Sequence, residues 1–345
     1  MSERTKIKDI ARVAGVSTAT VSRALSDSAL VTDATREKVR AAANRLNYRL
    51  NVRARNLRIQ KSMAVLLVVR NMSNPFYLEI FKGVEAVARA AGYVLLMGNT
   101  EDDPAREAEY FDMLRDGQAD GMILMTGTLP EGHAVLDPAS GAPPIVVALE
   151  AVDDCGLAHV QIDNCAAAKQ AVRHLASLGH RKIAHICGPL PEILSRLRRD
   201  GYRKAMAKAG LEIPRNYEPA GDYSIQSGRA CCAALFDADN PPTALFAAND
   251  EMAFGAIGEL RRRGLRVPED VSVIGFDDLF VSESYSPPLT TISQPRVDIG
   301  RTAMTMLLDI IGARQSVPRT IEMQTELIVR QSTGKAPNKL EISAQ

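Results

Sequence analysis

Short polar side chains and one arginine are grouped in the run from Ser17 to Arg23. On one face of a helix, small residues and hydroxyls allow close approach to the edges of DNA bases, and a guanidinium can pair with guanine. We therefore expect Thr18 and Ala19 to face bases. Thr20 and Ser22 should contact mainly phosphates, and Arg23 should reach a guanine edge. These residue types point to sequence-specific DNA binding.

The surrounding sequence predicts the helices that would position these side chains. One apolar helical face is formed by Ile7, Ile10, Ala11 and Ala14. Gly15 favours a turn, and Ser17 is a suitable N-cap for a second helix that buries Val21, Ala24 and Leu25. Thr32 can cap a third helix over 33–47, whose apolar stripe is Val39, Ala42, Ala43 and Leu46. On spacing alone, a three-helix cap that binds no DNA is an open alternative.

Charge is distributed unevenly along the 345 residues. Residues 1–62 contain 14 Lys and Arg against 5 Asp and Glu, a net charge of +9, whereas the rest of the chain has a net charge of −8. A basic segment joined to an acidic body is the distribution expected of a nucleic-acid-binding module. Because the basic excess coincides with the predicted helices, it favours DNA binding over a charged face that only contacts solvent.

Several other classes of function have no signature in the sequence. The five cysteines form no C-x-x-C pair and the five histidines lack zinc-ligand spacing, so no metal and no cofactor are expected. We find no phosphate-binding loop, dinucleotide-binding glycine motif or nucleophile elbow, and predict no catalytic residues. The polar N-terminus and the absence of a long apolar run favour a cytoplasmic protein without membrane contact.

The N-terminal motifs resemble those of a known family. Similarity to the helix-turn-helix of LacI/GalR-type bacterial repressors is carried by Ile10-Ala11, Gly15-Val16-Ser17, Thr20–Leu25, Val31–Arg36 and Leu46-Asn47-Tyr48. The resemblance implies a DNA-binding domain over 1–48 and a hinge segment over 49–61. In that family a leucine at the position of Leu57 wedges into the minor groove at the operator centre, whereas a plain basic linker would only touch phosphates. Many members have proline where this chain has Leu50, which leaves the order of the hinge open.

From Ser62 onward, apolar strand-like runs alternate with amphipathic helices. Buried strands are predicted at 64–69, 93–98, 121–125, 145–149, 159–162, 183–187, 243–247, 271–276 and 289–293. Helices are predicted at about 76–91, 104–116, 164–178, 196–209, 225–237, 249–263 and 295–312. This alternation predicts an α/β architecture with two doubly wound parallel-sheet lobes. The complete fold class is therefore a small all-α head followed by these two lobes.

Motifs within this body extend the resemblance to residue 333. The regulatory core of LacI/GalR repressors, which is similar to periplasmic sugar-binding proteins, is matched by Asn74-Pro75-Phe76-Tyr77, Ile162-Asp163-Asn164, Ala248-Asn249-Asp250 and Val267–Asp277. The resemblance implies an effector-binding and dimerisation core over 62–333. Its first lobe would comprise about 62–163 and 295–324, and its second about 164–294 and 325–333. The tail over 334–345 is predicted to be disordered.

Ligands in such folds bind beyond the carboxyl ends of the strands. Carried over position by position, the resemblance implies effector contacts at Phe76, Tyr77, Glu150, Arg198, Tyr223, Asn249, Asp277 and Gln294. Arg198 and Asp277 would grip hydroxyls of a sugar or ribose. Phe76 and Tyr223 would sandwich a ring. The structural alternatives are an ordinary Arg–Asp ion pair and a helix cap at Asn249.

The sequence leaves the class of effector less defined. Residues 287–296 and 326–330 resemble most a nucleoside-responsive member of the family, and the largely apolar stretch 190–196 favours a flat base. Most relatives bind sugars, so a sugar or sugar-phosphate effector is the alternative. A transport solute-binding protein would share the body but lack the basic head. We therefore predict a ligand-responsive repressor that binds a palindromic operator in double-stranded DNA. Some members of the family form tetramers through C-terminal heptads. No such heptad pattern follows Thr333, so we expect a homodimer.

Overall fold

The structure, a computed structural model, describes residues 5–25, 29–48, 61–129, 143–150, 156–313 and 319–337. The chain divides into two units, 1–61 and 62–345. In the described part of the first unit, three helices follow one another: α1 (Ile7–Ala14), α2 (Thr18–Leu25) and α3 (Asp33–Arg45). Their mutual core includes Ile10, Val21 and Val39, which are fully buried.

The turn between α1 and α2 follows from its residue types. Gly15 ends α1 with a φ of 66°, a left-handed conformation that glycine adopts without steric cost. The Thr20 amide donates to Ser17 Oγ at 3.0 Å, which confirms the predicted N-cap of α2. The N-cap position predicted at Thr32 is confirmed, but the side-chain capping bond is not formed. Thr32 holds the N-cap position of α3, but its hydroxyl pairs with that of Thr35 at 3.0 Å instead of a backbone amide.

The second unit contains two sheets. The first comprises β1 (Ala64–Val69), β2 (Val94–Asn99), β3 (Met122–Met125), β4 (Ile145–Ala148), β5 (Ala158–Ile162) and β10 (Thr320–Met323). Its order is β10-β5-β4-β3-β1-β2, and every pair is parallel. The second comprises β6 (Ile183–Ile186), β7 (Ala244–Ala247), β8 (Ser272–Asp277), β9 (Thr290–Ser293) and β11 (Glu326–Ile328). Its order is β11-β9-β8-β7-β6, with β11 antiparallel to β9.

Helices cover these sheets. The first sheet packs with α4 (Phe76–Ala90), α5 (Pro104–Arg115) and α10 (Arg296–Ile311). The second packs with α6 (Asn164–Ser177), α7 (Ile193–Lys208), α8 (Ile225–Phe236) and α9 (Asp250–Arg262). All the predicted strands and helices of this unit are found, which confirms the predicted fold class. The chain passes between the two lobes three times: after β5, after β9 and after β10.

Two glycines allow α4 and α10 to pack closely in the first lobe. A Cβ atom at Gly83 would lie 2.0 Å from the Val297 carbonyl oxygen, and one at Gly300 would lie 2.2 Å from the Ile80 carbonyl oxygen. Both contacts involve backbone atoms, which cannot move aside as a flexible side chain can. The backbones of these helices therefore touch at positions where any larger residue would separate them.

Two predictions concern segments at the edges of the described chain. Leu57 and most of the predicted hinge lie outside the described residues. The disordered tail predicted from Gly334 begins too early, because the Gly334 amide donates to Ser272 Oγ at 3.0 Å and its carbonyl lies 3.1 Å from His180 Nε2. The Ala336 amide also donates to the Leu178 carbonyl at 2.9 Å. These bonds tie 334–337 to the second lobe, and 338–345 are not described.

Candidate functional site

The head carries the five predicted base and phosphate contacts on or beside the outer face of α2. Thr18, Ala19 and Arg23 are exposed, whereas Thr20 and Ser22 are half-buried. Val21 and Ala24 of the same helix are fully buried in the core of the head. The Thr20 hydroxyl lies 2.8 Å from Ser17 Oγ, so part of its hydrogen-bonding capacity is used within the helix cap.

A cavity of about 490 Å³ lies in the second unit and is lined by residues of both lobes. This volume is in the usual range for small-molecule sites. All eight predicted effector contacts line it: Phe76, Tyr77, Glu150, Arg198, Tyr223, Asn249, Asp277 and Gln294. The structure thus brings together residues that are separated by more than 200 positions in the sequence.

Arg198 is held rigidly beside this cavity by α7. Its Nε donates to Asn164 Oδ1 at 2.9 Å, and its Nη1 donates to the Ala248 carbonyl at 2.6 Å. The guanidinium carbon lies 3.8 Å from the centre of the Phe276 ring, a cation–π contact. In the described part of the chain no hydrogen bond uses Nη2. Arg198 is therefore oriented by three neighbours and retains donors for a ligand.

Asp277 ends β8 and is nearly fully buried, with 5% exposure. The Gln294 amide donates to Asp277 Oδ1 at 2.7 Å, while Gln294 Oε1 is buried without a hydrogen-bond partner. Burial raises the pKa of Asp277 to about 7, although Arg198 opposes this shift. No ion pair joins Arg198 and Asp277 within the described residues. The ion-pair alternative for these two residues is therefore wrong.

The helix-cap alternative is correct for Asn249. Its Oδ1 accepts from the Met252 amide at 2.9 Å at the start of α9, and its Nδ2 donates to the Tyr223 carbonyl at 2.9 Å. Only one N–H of this amide is left for a ligand. Asn249 therefore positions its neighbours, and Tyr223 in particular, at least as much as it presents a contact of its own.

Three residues that line the cavity have unusual backbone conformations. Leu149 has a φ of 69°, Tyr223 a φ of 68° and Asp277 a φ of 116°. None is glycine, so each conformation costs on the order of 1–3 kcal/mol and persists only when surrounding contacts impose it. The Tyr223 hydroxyl is held by Ser195 Oγ at 2.7 Å. Such strain is typical of sites where side-chain position matters for binding.

Sequence reasoning missed a charged group in the lining of the cavity, centred on Arg70. Arg70 directly follows β1 and forms ion pairs with Glu192 and, at 3.9 Å, with Glu150 Oε2. Burial raises the pKa of Glu150 to about 7, against the lowering effect of Arg70. Arg70 stands at a strand end, the position that singled out Phe76. Glu192 lies in the stretch 190–196, which is therefore less apolar toward the cavity than its composition indicates.

Comparison with known proteins agrees with this architecture. Residues 6–51 match the model of bacterial regulatory proteins of the lacI family, and residues 172–333 match the periplasmic binding protein-like domain. The chain is 39% identical to the transcriptional repressor CytR of Escherichia coli K12 over 331 residues, 96% of this chain and 97% of the relative. It is 36% identical to the repressor PurR of Haemophilus influenzae PittEE over 330 residues, 94% and 98% of the two chains.

Solved structures give the same result. The lac repressor dimer bound to operator and the anti-inducer ONPF matches with a TM-score of 0.85 at 29% identity, covering 96% of this chain and 100% of that one. A complex of the regulator CelR with cellobiose matches with a TM-score of 0.72 at 32% identity, covering 95% and 100%. A helix-turn-helix head followed by a two-lobed core with a ligand-sized cavity defines an effector-responsive transcription regulator. This chain belongs to the LacI family of bacterial regulatory proteins and is a DNA-binding repressor with an effector-binding domain.

No helix in the described ranges is long and apolar enough to cross a membrane. Within the same ranges, no cluster of three or more His, Cys, Asp or Glu side chains is arranged to hold a metal ion.

Proposed function

We propose that this protein is a homodimeric, non-enzymatic repressor whose affinity for a palindromic operator is controlled by a nucleoside. A repressor acts where the DNA is, so we place it in the cytoplasm. Two heads related by a two-fold axis match a palindromic site, because each α2 would meet one half-site in the major groove. The exposure of Thr18, Ala19 and Arg23 on α2 supports this proposal.

The observation that carries the effector proposal is the set of unused polar atoms around Asp277. Arg198 Nη2 and Asp277 Oδ2 have no hydrogen bond within the described chain, and Gln294 Oε1 is buried without a partner. One donor and two acceptors in the lining of the same cavity are complementary to two adjacent hydroxyls, as in a ribose. A buried polar atom without a partner costs about 1–3 kcal/mol, which a bound diol would recover.

Two aromatic side chains of the cavity are suited to a flat ring. Phe76 and Tyr223 both line the cavity and belong to different lobes. Aromatic faces stack on a base without requiring a particular hydrogen-bond pattern. A ligand bound between the lobes would favour the conformation in which both lobes contact it. The fraction of dimers able to bind DNA would change as that conformation becomes more populated.

The test is a thermal-shift screen of the full-length protein, followed by titration calorimetry and operator gel shifts. We expect one ribonucleoside to bind and change operator affinity, while its free base does not. The 2′,3′-dideoxy analogue should bind about 100-fold more weakly, because two hydrogen bonds to buried groups are lost. Binding of a sugar alone would overturn the nucleoside proposal. Binding of no small molecule would overturn the effector role of this cavity.

A substitution at Asp277 separates operator binding from the response to the effector. Asp277→Ala should bind operator as the wild type does but should lose the effector response. Glu218→Ala removes a carboxylate of the same lobe that pairs with Arg203 and does not line the cavity, and it serves as the matched control. Unchanged effector affinity in Asp277→Ala would remove this residue from the binding site.

A further inference from the structure

A second part of the cavity lining is built around a fully engaged arginine, Arg70. Arg70 Nη1 pairs with Glu192 Oε1, Nη2 lies 3.9 Å from Glu150 Oε2, and Nε lies 3.8 Å from Asp102 Oδ1. Nε also donates to the Thr126 carbonyl at 2.7 Å. Every nitrogen of this guanidinium therefore faces a protein oxygen, and its positive charge is balanced by carboxylates from both lobes.

Carboxylates outnumber arginines around the whole cavity. Two arginines line it, Arg70 and Arg198, against six acidic residues: Asp102, Glu150, Glu192, Asp222, Glu251 and Asp277. No lysine is present among the lining residues that the structure describes. Arg198 already donates to Asn164 and to the Ala248 carbonyl. An anionic ligand would therefore meet more carboxyl than guanidinium groups and little uncommitted positive charge.

The helix N-termini around the cavity do not reverse this balance. One first-turn amide in each of α6, α8 and α9 is bonded to the cap side chain, which is Asp163, Ser224 and Asn249 respectively. At α4, the Phe76 amide donates to Asn74 Oδ1 at 2.9 Å. The carboxylate of Glu192 stands at the N-cap of α7. One amide at each of these four helix N-termini is thus already occupied, and an acidic residue precedes α7, which makes them less favourable sites for a phosphate.

We propose that Glu192 and Glu150, by neutralising Arg70, make this a site for uncharged effectors and exclude their phosphate esters. The proposal rests on the effector role of the cavity and narrows its ligand class to a free nucleoside or free sugar. A phosphate placed near Arg70 would displace a carboxylate from its partner and leave like charges a few ångströms apart. At short range in a partly buried site, such repulsion reduces affinity by more than tenfold.

Inorganic phosphate tests this exclusion without knowledge of the effector. Titration calorimetry would compare the wild type with Glu192→Gln and with the double variant Glu150→Gln/Glu192→Gln. We expect phosphate to bind the double variant about tenfold or more tightly than the wild type, because Arg70 is released. The single variant should show a smaller gain. Adding Arg70→Met to the double variant should abolish the gain.

Glu218→Gln is the matched control. Like Glu192, Glu218 pairs with an arginine. Its partner is Arg203 at 2.7 Å, and Glu218 does not line the cavity. It should leave phosphate affinity unchanged. Thermal melts would confirm that each variant is folded, and the single Glu192→Gln variant is the fallback if the double variant is not. Phosphate binding by the wild type as tight as by the variants, or a gain that survives Arg70→Met, would overturn the proposal. A failed nucleoside screen would leave this result unaffected.

Discussion

The buried carboxyl of Asp277 should destabilise the ligand-free protein at alkaline pH. Its pKa is raised from 3.8 to about 7, chiefly by burial. The folded protein therefore binds more protons than the unfolded chain between about pH 4 and pH 7, so stability is lost as pH rises through that window. A substitution that removes the negative charge of Asp277 should restore the stability that is lost at high pH.

Asp277→Asn makes this change with little steric effect, and asparagine retains an oxygen that can accept from Gln294 Nε2. A rise in the pKa from 3.8 to about 7 corresponds to about 4 kcal/mol at a pH above both values. We expect the variant to gain about 4 kcal/mol of unfolding free energy at pH 8. At pH 5 the expected gain is less than about 2 kcal/mol, because the wild-type carboxyl is then protonated in the folded state.

Urea denaturation followed by circular dichroism at both pH values measures this difference. Asp102→Asn, a change of the same type at an exposed position, should change stability by less than about 0.5 kcal/mol. Equal gains at pH 5 and pH 8, or a variant less stable than the wild type at pH 8, would refute the reasoning from burial.

Three further predictions concern the head, the helix packing and the effector. Arg23→Ala should lose about 1–3 kcal/mol of discrimination between operator and random DNA in gel shifts, and equal losses on both would indicate a phosphate contact only. Gly83→Ala should destabilise the second unit by about 1–3 kcal/mol, because its Cβ would overlap the Val297 carbonyl. The control Gly258→Ala in α9, whose Cβ would meet only Arg229 Nη2 at 3.7 Å, should be neutral or stabilising in the same melts. Nucleoside affinity should rise about tenfold from pH 6 to pH 8, as Asp277 ionises and accepts hydroxyl hydrogen bonds, and a flat calorimetric profile would contradict this.

The sequence predicted the elements better than the contacts between them. Continuous apolar runs such as residues 64–69 identify buried strands because both faces of a parallel sheet are covered. The edge strands β10 and β11 were not predicted, since both are short and partly exposed, and polar residues interrupt their apolar pattern. The start of α7 was predicted three residues late, at 196 instead of Ile193.

In the cavity, too, the positions of residues along the chain were predictable, whereas the contacts between the lobes were not. Asp277 and Glu150 follow strands, so their position at one end of a sheet could be predicted from the order of elements. The ion pair between Arg70 and Glu192 could not, because it depends on how two lobes face each other across 122 positions of sequence. Resemblance to a family pointed to the residues that line the cavity near Asp277 but not to the charges that surround Arg70.

The three passages of the chain between the lobes have a consequence for how the protein is made. The first sheet lacks its edge strand until residue 323 has been synthesised, and the second lacks its own until residue 328. Domains usually fold in turn from the N-terminus as they leave the ribosome. Here the head can fold early, but both lobes must wait for the same last stretch of chain. A nascent chain arrested near residue 290 should therefore be protease-resistant in the head and sensitive throughout both lobes.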